Sequence, residues 1–490
     1  MTTAASPTDP GAVRSLIPFR MDRLPWARFH WMVVLGLGTA WILDGLEIQL
    51  VASAGFQKTL DMSSTEVGLT GTIYLIGQVV GALFFGRLTD TLGRKRLFVI
   101  TLAIYLIGSG VAGFAWNVWW LWIWRFIAGL GIGGEYTAIN SAIDELIPAK
   151  YRGRVDIAIN GTYWFGAMIG AFANIFLLDP KLVSENWGWR IGFFVGPVLG
   201  LLIIWLRRHI PESPRWMVTH GKGEEAERIV SEIEHSVEER GVKLSPVDES
   251  KAMLIKAKEN LPWSVLKEVF FKKYPRRTFL GVTMMVTQSF LYNAIFFTYI
   301  LVLKNFYGLS GSTAEKFFFP FAVGNLLGPL LLGHLFDTIG RRKMIFGTYL
   351  LSGSILLLSA FLFRADSLTA TTQTLLWCGS FFFASAGASS AYLTVSEIFP
   401  LEVRGQAISY FFSIGQVVGA FGPTIYGALI GDGTDRTPLF WGYILGACVM
   451  IFGGLVAWFF GVNAEGQSLE DVADPLSKVS DDPPLEPARA

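Results

Sequence analysis

Four ionisable side chains stand deep inside apolar stretches of this sequence: Asp44, Glu47, Arg125 and Glu135. Asp44 and Glu47 are three residues apart, so one helix face carries both carboxylates. Charge withdrawn from water is costly unless paired, and groups kept in such places handle protons, ions or ligands. The rest of the chain offers no competing chemistry. The five histidines (His30, His209, His220, His235, His334) form no metal-ligand spacing, and no Ser or Cys stands beside an evident base. No Walker A run is present to cradle a nucleotide. The sequence therefore reads as a protein without cofactor or metal, and not as an enzyme.

What positions these groups is a membrane architecture. Of 490 residues, 52% are hydrophobic and 16% charged, with a mean hydropathy of +0.46. Soluble domains are nearer a quarter charged, so the deficit points to lipid. Twelve stretches suit helical spans: 31–56, 66–86, 97–116, 119–147, 154–178, 189–209, 276–303, 313–335, 344–363, 370–398, 404–430 and 438–461. About 20 residues of helix cross a hydrocarbon core of roughly 30 Å. Ala52-Ser53-Ala54 resembles a leader cleavage site, but the run before it is too long for a leader and holds Asp44 and Glu47, so it is expected to be retained. Lys and Arg alternate between successive connections. Arg14, Arg20, Arg23 and Arg28 precede span 1, Arg87, Arg94, Lys95 and Arg96 follow span 2, and Lys150, Arg152 and Arg154 follow span 4. Positive-inside bias then places both termini in the cytoplasm.

The expected fold is an all-α membrane protein of twelve helices in two six-helix bundles. Residues 1–30 form a cytoplasmic tail, 31–210 the first bundle, 211–275 a helical linker, 276–462 the second bundle and 463–490 a second tail. GEEAERIVSEIEHSVEERG in the linker has helical spacing with dense mixed charge and reads as a surface helix. The tails are rich in Pro, Ser and Asp and are expected to be disordered. Cys378 and Cys448 lie in apolar stretches and are expected to be buried thiols rather than a disulfide framework. The net charge of +1 carries no signal for nucleic acid, and no such partner is expected.

Internal repeats divide the chain again. GRLTDTLGRKR at 86–96 returns as GHLFDTIGRRK at 333–343, and DELIPAKYRGR at 144–154 as SEIFPLEVRGQ at 396–406. The heptad IGQVVGA occurs at 76–82 and at 414–420, and G-x-x-x-G recurs at Gly166/Gly170 and Gly324/Gly328. These echoes fall in spans 2, 5, 8 and 11, the second helix of each consecutive triplet, which is the pattern of four three-helix repeats. The charged copies pair Asp90 with Arg94 and Asp337 with Arg341 along the sequence. Glu145 with Arg152, and Glu397 with Arg404, are the expected partners from neighbouring helix ends, while Gly86 and Gly333 allow close approach. The constellation reads as a two-part latch at the inner ends of the helices.

These loops resemble the signature motifs of the major facilitator superfamily. PESPRW at 211–216 and EGQSLED at 465–471 resemble marks of its sugar-porter branch. The resemblance implies alternating access, with the latch closed while the site faces outward. Asp44 and the Arg of RFIAGLG, Arg125, resemble the proton-coupling pair of that branch. It implies a carboxylate that keeps its charge beside Arg and takes a proton when the Arg withdraws. Glu47 and Glu135 have no evident counterpart there, and either a second proton or a polar substrate group is open to them. TQSFLYNAIFFTY at 287–299 keeps Gln288 and Asn293 of the sugar porters' span 7 motif but loses others. Tyr392 stands in a tryptophan's place in span 10, and Ala167 replaces a span 5 glutamine. Tyr163, Trp164, Tyr292 and Gln416 complete the expected substrate contacts. Fewer amides and more rings suit a flat or amphiphilic metabolite. The D-G-x-E of span 1 also resembles the D-G-x-D of aromatic-acid/proton symporters. The expected function is proton-coupled symport of a small organic metabolite, an organic or aromatic acid, by a monomer in the inner membrane bilayer. A sugar transporter and a non-transporting nutrient receptor are the alternatives.

Overall fold

The computed structural model describes residues 12–52, 56–62, 64–177, 181–207, 211–256, 262–296, 298–309 and 316–476. Within them, twelve helical segments correspond to the twelve expected spans. Spans 1–6 are Arg28–Ala52, Ser64–Leu92, Arg94–Ala112, Val118–Leu146, Arg152–Leu177 and Glu185–Arg207. Span 7 consists of Pro275–Phe296 and Tyr299–Tyr307, and span 11 of Arg404–Gly419 and Phe421–Ile430. Spans 8, 9, 10 and 12 are Phe318–Thr338, Arg341–Arg364, Ala370–Glu397 and Thr437–Phe460. Span 2 runs six residues beyond its expected end at 86, because helix continues until Gly93, whose φ of +91° only glycine adopts at low cost. Gly340, its repeat, turns span 8 into span 9 with φ +110°.

Eight helices among the described residues are long and apolar enough, by composition alone, to cross a membrane. Spans 4, 5, 6 and 10 fall outside that group. Spans 4, 5 and 10 bury polar side chains against other helices, including Arg125 and Glu135, Asp156 and Asn160, and Ser385 and Ser389. The lipid-facing surface carries exposed Phe84, Phe172, Leu201, Phe361 and Phe459 instead. Spans 1 and 5, 2 and 4, 7 and 11, and 8 and 10 pack within the halves, while spans 2 and 11 and spans 5 and 8 pack between them. The G-x-x-x-G pairs serve that packing. Gly166 and Gly170 lie against the backbone of Ile42 and Leu46 in span 1, where a side chain would collide.

The described parts of the tails are ordered, contrary to the sequence expectation. Ala12–Ser15 pairs antiparallel with Met253–Lys256, in register Val13↔Ile255, and a short helix Ile17–Asp22 follows. The reason is local charge. Arg20 and Arg23 each reach Glu234 at 2.6 Å, on the amphipathic linker helix Gly223–Glu238. Burial alone would raise the Glu234 carboxyl, but hydrogen bonds and charge from Arg20 and Arg23 outweigh it and hold the group below the usual carboxylate range.

Candidate functional site

A cavity of about 180 Å³ opens between the halves near the middle of the helices. All seven expected contact residues line it: Tyr163 and Trp164 from span 5, Gln288, Tyr292 and Asn293 from span 7, Tyr392 from span 10 and Gln416 from span 11. Sequence inspection missed Trp41, Gln78, Tyr136 and Asn160, which line it too. Gln78 had a signal, since it is the heptad counterpart of Gln416. The two amides meet across the halves, Gln416 Nε2 donating to Gln78 Oε1 at 3.3 Å, and Ser289 donates to Gln416 Oε1 at 2.8 Å. Tyr292 donates to Asn325 Oδ1 at 2.8 Å, and Asn293 Nδ2 to Ser289 Oγ at 3.3 Å. Trp164 meets Tyr292 at 6.0 Å and Phe296 at 5.4 Å between ring centroids. Toward the termini, Trp41 stacks on Tyr136 at 4.4 Å, Tyr136 meets Phe412 at 5.5 Å, and Tyr392 meets Trp41 at 5.9 Å. Four spans from both halves thus supply an aromatic floor. Among the described residues lining the cavity, none is charged.

The charged cluster lies beside the cavity, and its pairing corrects the expectation. Arg125 Nη1 bonds Glu47 Oε1 at 2.8 Å, not Asp44, with both side chains buried. Depth explains the choice. Counted at 1.5 Å per residue, Arg125 is roughly 30 Å from the Glu145 end of span 4, Glu47 roughly 28 Å and Asp44 roughly 24 Å from the start of span 1. Asp44 instead accepts from two tyrosines, Tyr74 at 3.0 Å and Tyr136. Tyr74 also presents its ring to Arg125, 4.0 Å from guanidinium carbon to centroid, and so links the two acids. Glu135 is fully buried and does not line the cavity.

The gate residues converge at the end that holds both tails, again with altered pairing. Glu145 binds Arg94 of its own half at 2.7 Å and Arg404 of the other half at 3.5 Å. Glu397 binds Arg341 at 3.0 Å and Arg152, across the halves, at 3.6 Å. Arg341 also reaches Asp337 at 2.8 Å, as the repeat suggests, while Arg152 turns to Glu397 rather than Glu145 because span 5 packs mainly on spans 1, 8 and 10. Asp337 accepts from the backbone nitrogens of Gly153 and Arg154 at 3.0 and 2.9 Å, satisfying open donors at the start of span 5. Gly333 faces Arg154, and Gly86 faces Ser409 and Gly405 of span 11. The side chain of Asp90 lies outside the described residues.

This arrangement agrees with comparisons to known proteins. The family model "Sugar (and other) transporter" matches residues 44–475. The chain belongs to that family. The transporter is 24% identical over 458 residues to the niacin transporter NiaP of Acinetobacter baylyi, covering 92% of this chain and 98% of the relative. It is 26% identical over 427 residues to the glucose transporter GlcP of Staphylococcus epidermidis, covering 85% and 90%. Its fold matches the proton:xylose symporter XylE from E. coli with TM-score 0.75 and 20% identity, over 91% of this chain and 98% of that one. It is a multi-pass plasma-membrane transporter of the major facilitator superfamily, and its relatives are not enzymes.

The two marks of the sugar-porter branch also find places in the transporter. Glu212 of PESPRW accepts from the backbone nitrogens of Arg94 and Lys95 at 2.9 and 3.1 Å, and Glu465 of EGQSLED accepts from Arg341 N at 3.3 Å. Each carboxylate caps the first turn of a gate helix, where open donors and the helix dipole favour negative charge. Arg215 binds Glu470 and, at 2.8 Å, Asp22, so one guanidinium joins linker, C-terminal segment and N-terminal segment.

Proposed function

We propose that the transporter is a proton-coupled symporter of a small aromatic acid of the nicotinate or benzoate kind. The observation that carries this is a cavity of about 180 Å³, uncharged and aromatic-walled, set beside a buried cluster of one guanidinium and two carboxylates. Cavities of roughly 150 Å³ hold one benzene-sized molecule, so a single substituted ring fits. Trp164, Tyr292 and Phe296 offer ring faces and edges, and the amides of Gln288, Asn293 and Gln416 offer donors to a carboxylate. Niacin, which NiaP transports, belongs to this class. Asp44 and Glu47, ionised together against Arg125, leave these three groups with one uncompensated negative charge in low dielectric, which one proton on Asp44 removes. Asp44, held only by tyrosine hydroxyls, is the acid that takes it, with Glu47 and Arg125 as its electrostatic partners. Glu135 lies close enough to act on Asp44.

The distribution of Lys and Arg puts the gate in the cytoplasm, where its crosswise pairs hold the site closed to the inside. Opening exchanges those pairs for water while spans 2 and 5 rock against spans 11 and 8. A hexose is the second reading, favoured by the amides of the lining and by GlcP and XylE among the relatives. Proteoliposomes with an imposed inward proton gradient, offered labelled nicotinate, benzoate, glucose and xylose, test the choice. Gradient-driven accumulation of an aromatic acid and not of the sugars is expected. Accumulation of glucose or xylose alone would overturn the assignment.

A further inference from the structure

Resting on the proton-coupled reading, we infer that Tyr136 is the positioning residue that couples substrate to proton, by moving one O–H between Asp44 and the bound substrate. Two placements carry this. The Tyr136 hydroxyl donates to Asp44, and the same side chain lines the cavity. Of the two tyrosines on Asp44, Tyr74 does not line the cavity. Its ring is held under Arg125 at 4.0 Å. Tyr136 alone joins the proton site to the cavity among the described hydrogen bonds of Asp44.

The chemistry follows from counting donors. An ionised Asp44 is acceptor-only and holds both tyrosine hydroxyls. When Asp44 is protonated it carries its own O–H, the charge that strengthened both bonds is gone, and its acceptor capacity falls. Of the two residues only Tyr136 borders the cavity, where a substrate acceptor can take the place of Asp44, so the bond that loosens is the one from Tyr136. The freed O–H then faces the cavity and donates to a carboxylate or hydroxyl of the substrate. Proton and substrate binding thereby favour each other, and by linkage the effect is reciprocal. The ring need not travel. It is stacked on Trp41 at 4.4 Å and meets Phe412 of the other half at 5.5 Å, so only the hydroxyl hydrogen redirects.

The neighbours of Asp44 are consistent with a single exchange. Its own span contributes Glu47, and span 4 contributes Arg125, Glu135 and Tyr136. Tyr74 of span 2 is bonded to it, and Tyr105 of span 3, Tyr163 of span 5 and Tyr392 of span 10 lie within electrostatic reach of it. Tyr163 and Tyr392 line the cavity, but among the described hydrogen bonds of Asp44 neither donates to that carboxylate.

Tyr136→Phe tests this, because it keeps the ring contacts and removes the hydroxyl. Binding of labelled nicotinate, with glucose run in parallel, is measured by scintillation proximity from pH 5 to 9 in the purified full chain. In the parent, affinity for the compound carried should improve as pH falls through the Asp44 transition. In Tyr136→Phe that improvement should be lost, leaving affinity about tenfold weaker at the acid end and nearly unchanged at the alkaline end. Tyr74→Phe should keep the improvement and shift its midpoint. A parent-like pH slope in Tyr136→Phe overturns the inference. If neither compound binds the parent, the substrate class fails, and the inference is then read without substrate. Infrared difference spectra on a pH step, with the Asp44 carboxyl band assigned by its loss in Asp44→Asn, should show that band shifted in Tyr136→Phe. An unshifted band also overturns it.

Discussion

Arg94 and Arg341 stand 247 residues apart and make the same bonds. Each holds a span-end glutamate, at 2.7 and 3.0 Å, and each donates to the carbonyl of the residue five before it, Thr89 and Phe336, at 3.1 and 2.8 Å. Arg125 has no such twin. At the spacing that relates Glu145 to Glu397, 252 residues on, stands Trp377, buried in span 10. Among the described residues of spans 7–12 and the turn between spans 10 and 11, the buried acids and bases are Arg341, Glu397, Glu402 and Arg404, all at the gate end. The second half keeps the gate and lacks the mid-membrane cluster. Under the proposed function, a gate between two bodies needs a contribution from each, which accounts for both copies of its residues. A proton site would need only one copy, leaving the other half to line the cavity with uncharged Gln288, Tyr292 and Asn293.

The sharpest way to break that contrast is Asp44→Asn against Trp377→Leu. Asp44→Asn should abolish proton-driven accumulation, with substrate exchange across the membrane still measurable. Trp377→Leu should cost stability through a cavity, about 3 kcal/mol or more, while accumulation per folded molecule stays near parent level. Accumulation surviving in Asp44→Asn, measured against a gradient in proteoliposomes, would mean the asymmetry has nothing to do with coupling.

The symmetry of the gate is tested next, by Glu145→Gln and Glu397→Gln. Each carboxylate holds one arginine from either half, and losing one partner of a buried pair costs up to about 3–5 kcal/mol. Even 1.4 kcal/mol of that, spent on the closed state alone, moves the inward/outward ratio about tenfold. Both variants should raise thiol labelling of cysteines placed at the cytoplasmic mouth, and by similar factors. Asp337→Asn and Asp90→Asn should do the same more weakly, as equivalent members of the repeat. Strong labelling in one half's variants and none in the other's would show that the repeated sequence is not matched by repeated function.

Specificity should fall more evenly on the second half. Gln288→Ala and Asn293→Ala should each weaken substrate binding about tenfold, the loss of one or two hydrogen bonds, without altering its pH dependence. A change in pH dependence in either, read by equilibrium binding from pH 5 to 9, would place part of the coupling in the half that lacks buried mid-membrane charge.

The charged cluster at the helix ends, the twelve spans and the seven residues that line the cavity were legible in the sequence because repeats and apolar runs are patterns along the chain. Pairing was not. Glu47 rather than Asp44 meets Arg125 because helix depth decides it, and three residues of helix move a group only about 4.5 Å. Crosswise gate pairs depend on which helix span 5 packs against, which no local spacing encodes. Tyr74 and Tyr136 escaped notice because a tyrosine in an apolar run looks like packing until an acid is found against its hydroxyl. Order in the N-terminal segment was hidden for a similar reason, since its partner Glu234 lies more than 200 residues away.

That segment supplies the smallest expected effect and a last asymmetry. It is bound to the first half and the linker. Asp22 accepts from Ala149 N at 2.9 Å and meets Arg152 at 3.4 Å, while Arg20 and Arg23 close on Glu234. The Glu234 carboxyl is held below its ordinary range in the folded chain, so its contribution is full above the unfolded value of about 4.3 and is lost as pH falls through the lower folded one. Glu234→Gln should therefore loosen the segment at neutral pH, by about 1 kcal/mol for charge-assisted bonds that remain partly solvated. Amide exchange of residues 12–23, corrected for intrinsic rates, should rise several-fold in the variant at pH 7. The parent's protection should fall on acidification below about pH 4.3, where the variant's changes little. Because Asp22 also touches the gate residue Arg152, loosening the segment should raise cytoplasmic-mouth labelling slightly, and far less than Glu397→Gln does. Equal labelling in the two variants would make the segment a full member of the gate, and the gate would then no longer be a device of two equivalent halves.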